Sequence, residues 1–212
     1  MVAIIDYGAG NIRSVENAVR LLGREVILTK DPDVIRTADH VILPGVGAFG
    51  DAMERIRSGG MEQVICDAAS GGVPFLGICL GLQLLFEESE ESPGVTGLGV
   101  LGGKILRFPD RSQKVPQIGW NDLYYPSEFS GTAGEEKGRL FRGIPEHSYV
   151  YFVHSFYLQA QDRKIVSAGA FYGTDFDASI ESGNLFACQF HPEKSETVGL
   201  KILQNFLEVS SC

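Results

Sequence analysis

Short apolar runs alternate with amphipathic stretches through the first half of the chain. The apolar runs occupy residues 2–6, 25–29, 40–45 and 73–79. Continuous runs of this length are typical of strands buried on both faces of a sheet. The stretches with helical spacing cover residues 11–23, 49–72 and 80–89, and the second is broken at Gly59 and Gly60. This alternation predicts right-handed crossovers and a parallel sheet covered by helices.

The second half changes to strand-like runs separated by turn residues. These runs lie at residues 99–108, 114–125, 148–158, 164–173 and 177–190. Residues 195–212 return to helical spacing, and residues 127–138 are expected to form an exposed, mobile loop. The predicted fold class is therefore α/β, a mainly parallel sheet flanked by helices, with an antiparallel excursion in the second half. A single domain over residues 1–212 is expected.

Composition and charge exclude several classes of protein. The chain is 44% hydrophobic and 21% charged, which is ordinary for a globular domain. No apolar run approaches the roughly 18 residues needed to span a bilayer, and the chain opens on a strand-like run without a basic leader, so a cytoplasmic protein away from membranes is expected. The net charge of −9 opposes nucleic-acid binding.

The cysteine spacing indicates free thiols. Cys66, Cys79, Cys188 and Cys212 show no close pairing and no CxxC, so they are expected to be reduced.

Two glycine patterns suggest a nucleotide site only weakly. Residues 97–102 match GxGxxG but lead into a strand, whereas residues 8–13 follow a strand but lack the third glycine. No cofactor and no metal are expected.

Cys79 is the strongest candidate for chemistry, because it lies where the run 73–79 gives way to a helix. The sequence Gly77-Ile78-Cys79-Leu80-Gly81 has the spacing of a nucleophile elbow with cysteine in place of serine. Such a turn directs the start of the following helix at the sulfur, which favours the thiolate. The alternative is an inert cysteine packed in the core.

His191 is the best base for that nucleophile. It ends an apolar strand, Pro192 restrains the backbone after it, and Glu193 can fold back toward the imidazole. Strand alternation puts Gln189 and His191 on one face and Cys188 on the other. Cys79 and His191 each end a strand, so a Cys79-His191-Glu193 triad is predicted at the edge where ligands bind open parallel sheets.

The other histidines leave alternatives open. His40 and His147 are expected at the surface, whereas His154 could be a hydrogen-bonded core histidine. A zinc site of Cys79, His191, Glu193 and His154 is conceivable, but the spacing fits no usual ligand pattern.

A thioester mechanism also needs donors for an oxyanion. The N–H of Leu80, directly after the nucleophile, is one candidate. The glycine-rich turn at residues 44–50 can supply a second donor through Val46 or Gly47, because glycines let the backbone come close. An ordinary strand–helix turn is the alternative for this segment.

Together, "GICLGLQLLF", "QFHPEKS" and "PGVGAFGDAM" closely resemble class I glutamine amidotransferases. With "PQIGWN" and "YFVHSFY", nearly the whole chain is similar to the glutaminase subunits of imidazole glycerol phosphate synthase in histidine biosynthesis. The resemblance implies that glutamine is hydrolysed to glutamate, with Cys79 as nucleophile, His191 as acid and base, and Glu193 as its partner. It implies that ammonia passes to a separate (βα)8-barrel cyclase, in an expected heterodimer.

The resemblance also implies substrate and docking residues. Gln83 matches a residue that holds glutamine, Gly47 lies on the oxyanion side, and the backbone at Ser155 and Phe156 is expected at the amino-acid end of the substrate. Candidates for the subunit interface or an ammonia gate are Asn11, Trp120, Tyr151 and Lys194. Three rival hypotheses are a non-catalytic module of the same fold, a gamma-glutamyl hydrolase and a glutaminase of another synthase.

Overall fold

The computed structural model describes residues 1–109, 113–129 and 138–210. Residues 130–137 of the predicted mobile loop and the fourth cysteine, Cys212, lie outside these ranges. No helix among the described residues is long and apolar enough to cross a bilayer.

Twelve strands are described. Ten of them form one sheet and have the bounds Val2–Ile5 (β1), Val26–Thr29 (β2), His40–Gly45 (β3), Phe75–Cys79 (β4), Glu88–Ser89 (β5), Gly103–Arg107 (β6), Phe156–Ala160 (β9), Val166–Phe171 (β10), Asp175–Ser182 (β11) and Leu185–Cys188 (β12). The other two, Gln117–Asp122 (β7) and Tyr149–His154 (β8), form a separate antiparallel pair.

The large sheet has a parallel part and an antiparallel part, as the sequence predicted. Its order is β2-β1-β3-β4-β12-β11-β9-β6-β5, with β10 paired to β11. The first five strands in this order are mutually parallel, and β11 joins β12 as an antiparallel hairpin. Consequently β1, β3, β4 and β12 end at one edge, which brings the segments after Ile5, Gly45, Cys79 and Cys188 together.

Helices cover both faces of the parallel part. They are Ile12–Leu21 (α1), Pro32–Arg36 (α2), Phe49–Ser58 (α3), Glu62–Ser70 (α4), Leu80–Leu84 (α5) and Glu196–Leu207 (α6). One buried cluster contains the apolar stripes of α1 and α6, and a second contains those of α2, α3, α4 and α5. Two cores on opposite sides of the sheet therefore fix the strand ends that form the site.

The predicted helix over 80–89 is shorter than expected. It ends at Leu84, because carbonyl groups that a longer helix would use accept N–H groups from the following loop. Leu98 N donates to Leu84 O at 2.8 Å, Leu101 N to Leu85 O at 3.1 Å and Gly97 N to Glu87 O at 2.8 Å.

Two further expectations need correction. The strand-like run over 148–158 divides at Ser155 into β8 and β9, which belong to different sheets. His40 is buried rather than at the surface, because its Nε2 lies 3.0 Å from the Val209 carbonyl oxygen and its ring packs on Phe206. His147 is exposed, as predicted.

Candidate active site

Cys79 occupies a strained turn between β4 and α5. Its φ of 56° and ψ of −109° are rare for a residue with a Cβ, and such strain is found where the surrounding structure holds a functional group in place. The flanking glycines permit the close packing. A Cβ on Gly81 would lie 1.9 Å from the Leu43 carbonyl oxygen, and one on Gly77 would lie 2.8 Å from the Gly81 carbonyl oxygen. The predicted nucleophile elbow is thus present.

His191 and Glu193 form a buried pair beside this turn. His191 Nδ1 lies 2.8 Å from Glu193 Oε1, and both side chains are enclosed, with exposures of 1% and 0%. His191 Nε2 makes no hydrogen bond with the described residues and is available to the neighbouring thiol. Burial lowers the pKa of His191, but the nearby Cys79 sulfur and the Glu193 carboxylate favour its charged form more strongly and raise the pKa to about 9.

Asn11 completes the support of Glu193. Its Nδ2 donates to Glu193 Oε1 at 2.7 Å, so this carboxylate oxygen accepts from both Asn11 and His191. Asn11 adopts a left-handed conformation, with φ of 64°, immediately before α1. The sequence offered Asn11 as an interface or gate candidate, whereas the structure places its amide against the predicted triad.

The backbone around His191 is also tied to β8. His191 N donates to the Tyr151 carbonyl oxygen at 2.9 Å. Ser195 Oγ donates to the His191 carbonyl oxygen at 2.6 Å and accepts from Tyr151 N at 2.9 Å. These bonds lock the turn that carries the imidazole against the strand of Tyr151.

The three described cysteines differ in their surroundings. All are free thiols, and Cys79 is the one that lines a cavity with His154 and Gln83. Cys188 is fully enclosed in the core behind the site, and burial raises the pKa of its thiol well above the usual value. Burial also raises the pKa of the Cys66 thiol. Raised values keep these two sulfurs protonated and unreactive.

A cavity of about 340 Å³ opens at Cys79. It is lined by every residue predicted for the substrate and the oxyanion: Val46, Gly47, Leu80, Gln83, Ser155 and Phe156. Clefts of about 640 and 890 Å³ lie elsewhere on the described surface, but their walls contain no cysteine and no histidine. The smaller cavity therefore carries the candidate chemistry.

Two polar residues of the site were missed by the sequence analysis. Glu91 lines the cavity, and its Oε2 accepts the Phe49 N–H at 2.7 Å. Gln189 is completely buried, and its Nε2 donates to Cys79 Sγ at 3.7 Å. Strand alternation had put Gln189 on the face of His191, which was a usable signal. Nothing in the acidic run around Glu91 distinguishes it from its neighbours.

His154 is a hydrogen-bonded core histidine. Its Nδ1 lies 2.8 Å from the Phe156 carbonyl oxygen, and its Nε2 lies 3.1 Å from Gln117 Oε1. Burial lowers the pKa of His154 to about 4, so the ring is neutral near pH 7. Among the described residues, no group of three His, Cys, Asp or Glu side chains is arranged to hold a metal ion.

An exposed apolar surface adjoins the cavity on the strands β7 and β8. Their pairing puts Ile118, Trp120, Tyr149, Tyr151 and Val153 on one side, which we call the ribbon face. Ile118, Trp120 and Tyr149 are 63%, 46% and 58% exposed, whereas Val153 reaches the cavity wall. The rings of Trp120 and Tyr151 lie 6.1 Å apart, edge to face. Lys194 is exposed on the turn after His191.

This fold and this site define a class of enzyme. A sequence model described as "Glutamine amidotransferase class-I" matches residues 3–209, and the chain belongs to that family. A solved structure described as a glutamine amidotransferase superposes with a TM-score of 0.72, covering 98% of this chain and 97% of the other at 20% identity. At that identity the likeness supports the fold alone.

Closer relatives identify the branch of the family. The chain is 49% identical to imidazole glycerol phosphate synthase subunit HisH of Moorella thermoacetica, over 98% of this chain and 94% of the relative. It is 46% identical to the HisH subunit of Methanothermobacter thermautotrophicus, over 99% and 98% of the two chains. Within the class I glutamine amidotransferases, the chain thus belongs with the HisH subunits.

Proposed function

We propose that this chain hydrolyses glutamine through a thioester on Cys79 and delivers the ammonia to a cyclase subunit of imidazole glycerol phosphate synthase. The observation that carries the catalytic part is the enclosed His191–Glu193 pair, joined at 2.8 Å, beside a cysteine on a strained turn at the mouth of a cavity. A nucleophile, a base and an orienting carboxylate are the parts that acyl transfer requires.

The first half of the reaction forms the thioester. The Cys79 thiolate attacks the side-chain amide carbon of glutamine, and the carbonyl oxygen becomes an oxyanion. His191, held by Glu193, donates its Nε2 proton to the amide nitrogen, so the C–N bond breaks and ammonia leaves. The N–H of Leu80 and an N–H of Val46 or Gly47 are proposed as donors to the oxyanion, since these residues line the cavity on either side of the sulfur.

The second half restores the enzyme. His191, neutral after giving up its proton, takes one from a water molecule that attacks the thioester carbon. The C–S bond then breaks, glutamate is released, and the thiolate and imidazolium form again. The raised pKa of His191, about 9, supports an imidazolium in the resting enzyme near pH 7.

The cavity suits a small zwitterion. Its volume of about 340 Å³ is at the lower end for ligand pockets. We propose that the Glu91 carboxylate faces the α-ammonium group of glutamine and that Gln83 and the backbone at Ser155 and Phe156 hold its polar atoms. Glu91 lines the cavity and keeps one oxygen beyond its bond to Phe49 N.

We place the partner on the ribbon face. The HisH relatives are named as subunits of a synthase, and an exposed apolar patch beside a catalytic cavity is typical of an interaction site. A (βα)8-barrel cyclase docked there as a heterodimer would receive ammonia directly. We further propose that residues 1–212 act as a single domain and work in the cytoplasm, which suits the free thiols of the three described cysteines.

A trapping experiment tests the catalytic assignment. A glutamine-mimicking electrophile is expected to label Cys79 alone, as located by mass spectrometry of the digested protein. Cys79→Ser should lose glutaminase turnover, whereas Cys66→Ser, the matched control, should retain it. Labelling of a different thiol, or equal turnover in the Cys79→Ser variant, would exclude the covalent mechanism.

Co-purification with the barrel cyclase tests the partner. A one-to-one complex with cyclase-stimulated glutaminase activity is expected. If no complex forms and glutaminase activity is the same with and without the cyclase, the assignment to this synthase is wrong.

A further inference from the structure

Gln189 is a buried polar residue that the proposed mechanism does not use. It follows β12, is 0% exposed, and lies two residues before His191. Its Oε1 accepts from Gln83 Nε2 at 2.9 Å, and its Nε2 donates to Cys79 Sγ at 3.7 Å. Since a buried amide is costly unless both its ends are bonded, a glutamine here needs partners on both sides. The nucleophilic sulfur is one of them.

The direction of these bonds is set by a backbone carbonyl. The Phe156 carbonyl oxygen can only accept, and Gln83 Nε2 donates to it at 3.1 Å. Gln83 therefore turns its NH₂ group toward both Phe156 and Gln189. That group must meet an oxygen on Gln189, which leaves the Gln189 NH₂ to face the sulfur. Reversing the Gln189 amide would put two NH₂ groups against each other.

His154 reinforces this polarity. Its Nδ1 also bonds to the Phe156 carbonyl oxygen, at 2.8 Å, and fills the second lone pair of that atom. Donation there places the proton of the neutral ring on Nδ1, so that Nε2 is an acceptor and the Gln117 amide must turn its NH₂ group, rather than Oε1, toward it. The chain of bonds from Phe156 through Gln83 to Gln189 thus delivers an N–H to Cys79.

The charged and titratable neighbours of the sulfur come from several elements. His191 lies after β12, and its cationic form favours a thiolate. Tyr7, after β1, has a buried hydroxyl with no hydrogen-bond partner in the described part of the chain, and its pKa is raised mainly by burial and secondly by the charge of Cys79. Cys188, on β12, has a raised pKa to which Glu193 and Cys79 both contribute. Gln189 adds to this set an N–H donor whose own charge does not change with pH.

We propose that Gln189 is a positioning residue of the glutaminase centre, whose side-chain amide donates to Cys79 Sγ, stabilises the thiolate and fixes the sulfur for attack. This inference rests on the proposed covalent function of Cys79. It assigns to Gln189 an effect on the protonation of the nucleophile that a space-filling core glutamine would not have.

Two substitutions separate the contact with sulfur from the role in packing. Gln189→Glu keeps an oxygen that accepts from Gln83 Nε2, but it replaces the NH₂ group that faces the sulfur with a second oxygen. Gln189→Met has a similar size and removes both bonds. Asn205→Asp is the matched control, because Asn205 is also buried and donates to two carbonyl oxygens, but it lies on α6 away from the site.

The experiment measures the rate of Cys79 alkylation by iodoacetamide against pH in the full chain, with the labelled thiol located by mass spectrometry. In Gln189→Glu, the midpoint of the rise in alkylation rate with pH is expected to move upward by about one pH unit or more. In Gln189→Met it is expected to move upward by less. In Gln189→Glu, glutaminase kcat/KM at pH 7 should fall at least about tenfold and partly recover at alkaline pH. Asn205→Asp should lower Tm without moving the midpoint.

A midpoint unchanged in both Gln189 variants, whatever happens to Tm, would overturn this inference while leaving the thioester mechanism in place. A wild-type chain in which Cys79 is not alkylated at all would instead overturn the proposed function. If Gln189→Glu does not fold, the midpoint of Gln189→Met still decides the question.

Discussion

The two walls of the cavity at Cys79 are built differently. The wall at Cys79 and Leu80 follows the end of β4, a parallel strand buried on both faces, and the side chains of His191 and Glu193 are enclosed beside it. The opposite wall, at Val153 and Phe156, continues into the ribbon face, which leaves Ile118 and Trp120 in solvent. Low dielectric and fixed geometry suit charge-shifting chemistry, whereas exposed apolar area suits docking. Variants of one wall should therefore leave the property of the other intact.

The largest effect is expected at the triad. His191→Asn removes the acid that protonates the departing amide nitrogen, and glutaminase kcat should fall by about 10³-fold or more. The Kd for the cyclase should stay within about twofold of wild type, since the buried imidazole is far from solvent. Steady-state glutamate release and titration calorimetry measure the two. A large loss of cyclase affinity in this variant would show that the two walls do not act independently.

The next effect is expected on the ribbon face. Trp120→Ala should weaken cyclase binding about 10- to 100-fold, because exposed aromatic residues are frequent hot spots. Leu21→Ala is the matched control: Leu21 is 72% exposed, but at the end of α1 it lies at the opposite edge of the sheet. Its Kd should not change. The rate of Cys79 alkylation in the free Trp120→Ala chain should match that of wild type. Equal Kd values for Trp120→Ala and Leu21→Ala would show that the ribbon face is not the docking site.

The site also contains two histidines of opposite pH dependence, His154 on the cavity wall and His191 beside Cys79. The pKa of His191 is raised to about 9, so its stabilisation is complete below about pH 6.5 and is lost as pH rises through 9. The pKa of His154 is lowered to about 4, so its contribution is present above about pH 6.5 and is lost as pH falls through 4. Each should be worth about 3 kcal/mol.

Urea titrations across pH 4–9 measure this dependence. The wild-type free energy of unfolding should be largest near pH 6–7. His191→Asn should flatten the alkaline limb, and His154→Asn the acid limb. An unchanged alkaline limb in His191→Asn would show that another group titrates there.

The smallest effect is expected from Asn11. Asn11→Ala removes one of the two donors to Glu193 Oε1 and should lower kcat about 3- to 10-fold. Asn11→Gly removes the same amide but keeps the left-handed backbone conformation. Equal losses in both variants would assign the effect to the amide. A loss confined to Asn11→Ala would assign it to the backbone.

Local pattern predicted the elements that contain the strongest periodic signal. The change of period at Cys79, with Gly77 and Gly81 beside it, was sufficient to predict the elbow because strain of this kind needs glycines nearby. The length of α5 was not predictable, since its end depends on N–H groups supplied by residues 97–101. His40 was misplaced for a similar reason. Its partner is the Val209 carbonyl group, 169 residues away.

The candidate site was likewise predictable only in part from the sequence. Cys79 could be named because it ends a strand between two glycines, and His191 and Glu193 could be named because they flank Pro192 after the end of another. Gln189 and Asn11 could not be given their contacts, because both bonds join residues more than 100 positions apart. Hydrophobic periodicity carries no information about which distant polar atoms will meet.

The sequence by itself determined the parallel core, the elbow and the side chains available for acyl transfer, because these depend on local periodicity and backbone strain. Only the tertiary structure decided that the β7–β8 pair would leave the main sheet and expose its aromatic face, and that a chain of amides would reach the sulfur. Those outcomes depend on which strands become neighbours and on where buried donors find acceptors, and both are settled by the packing of the whole chain.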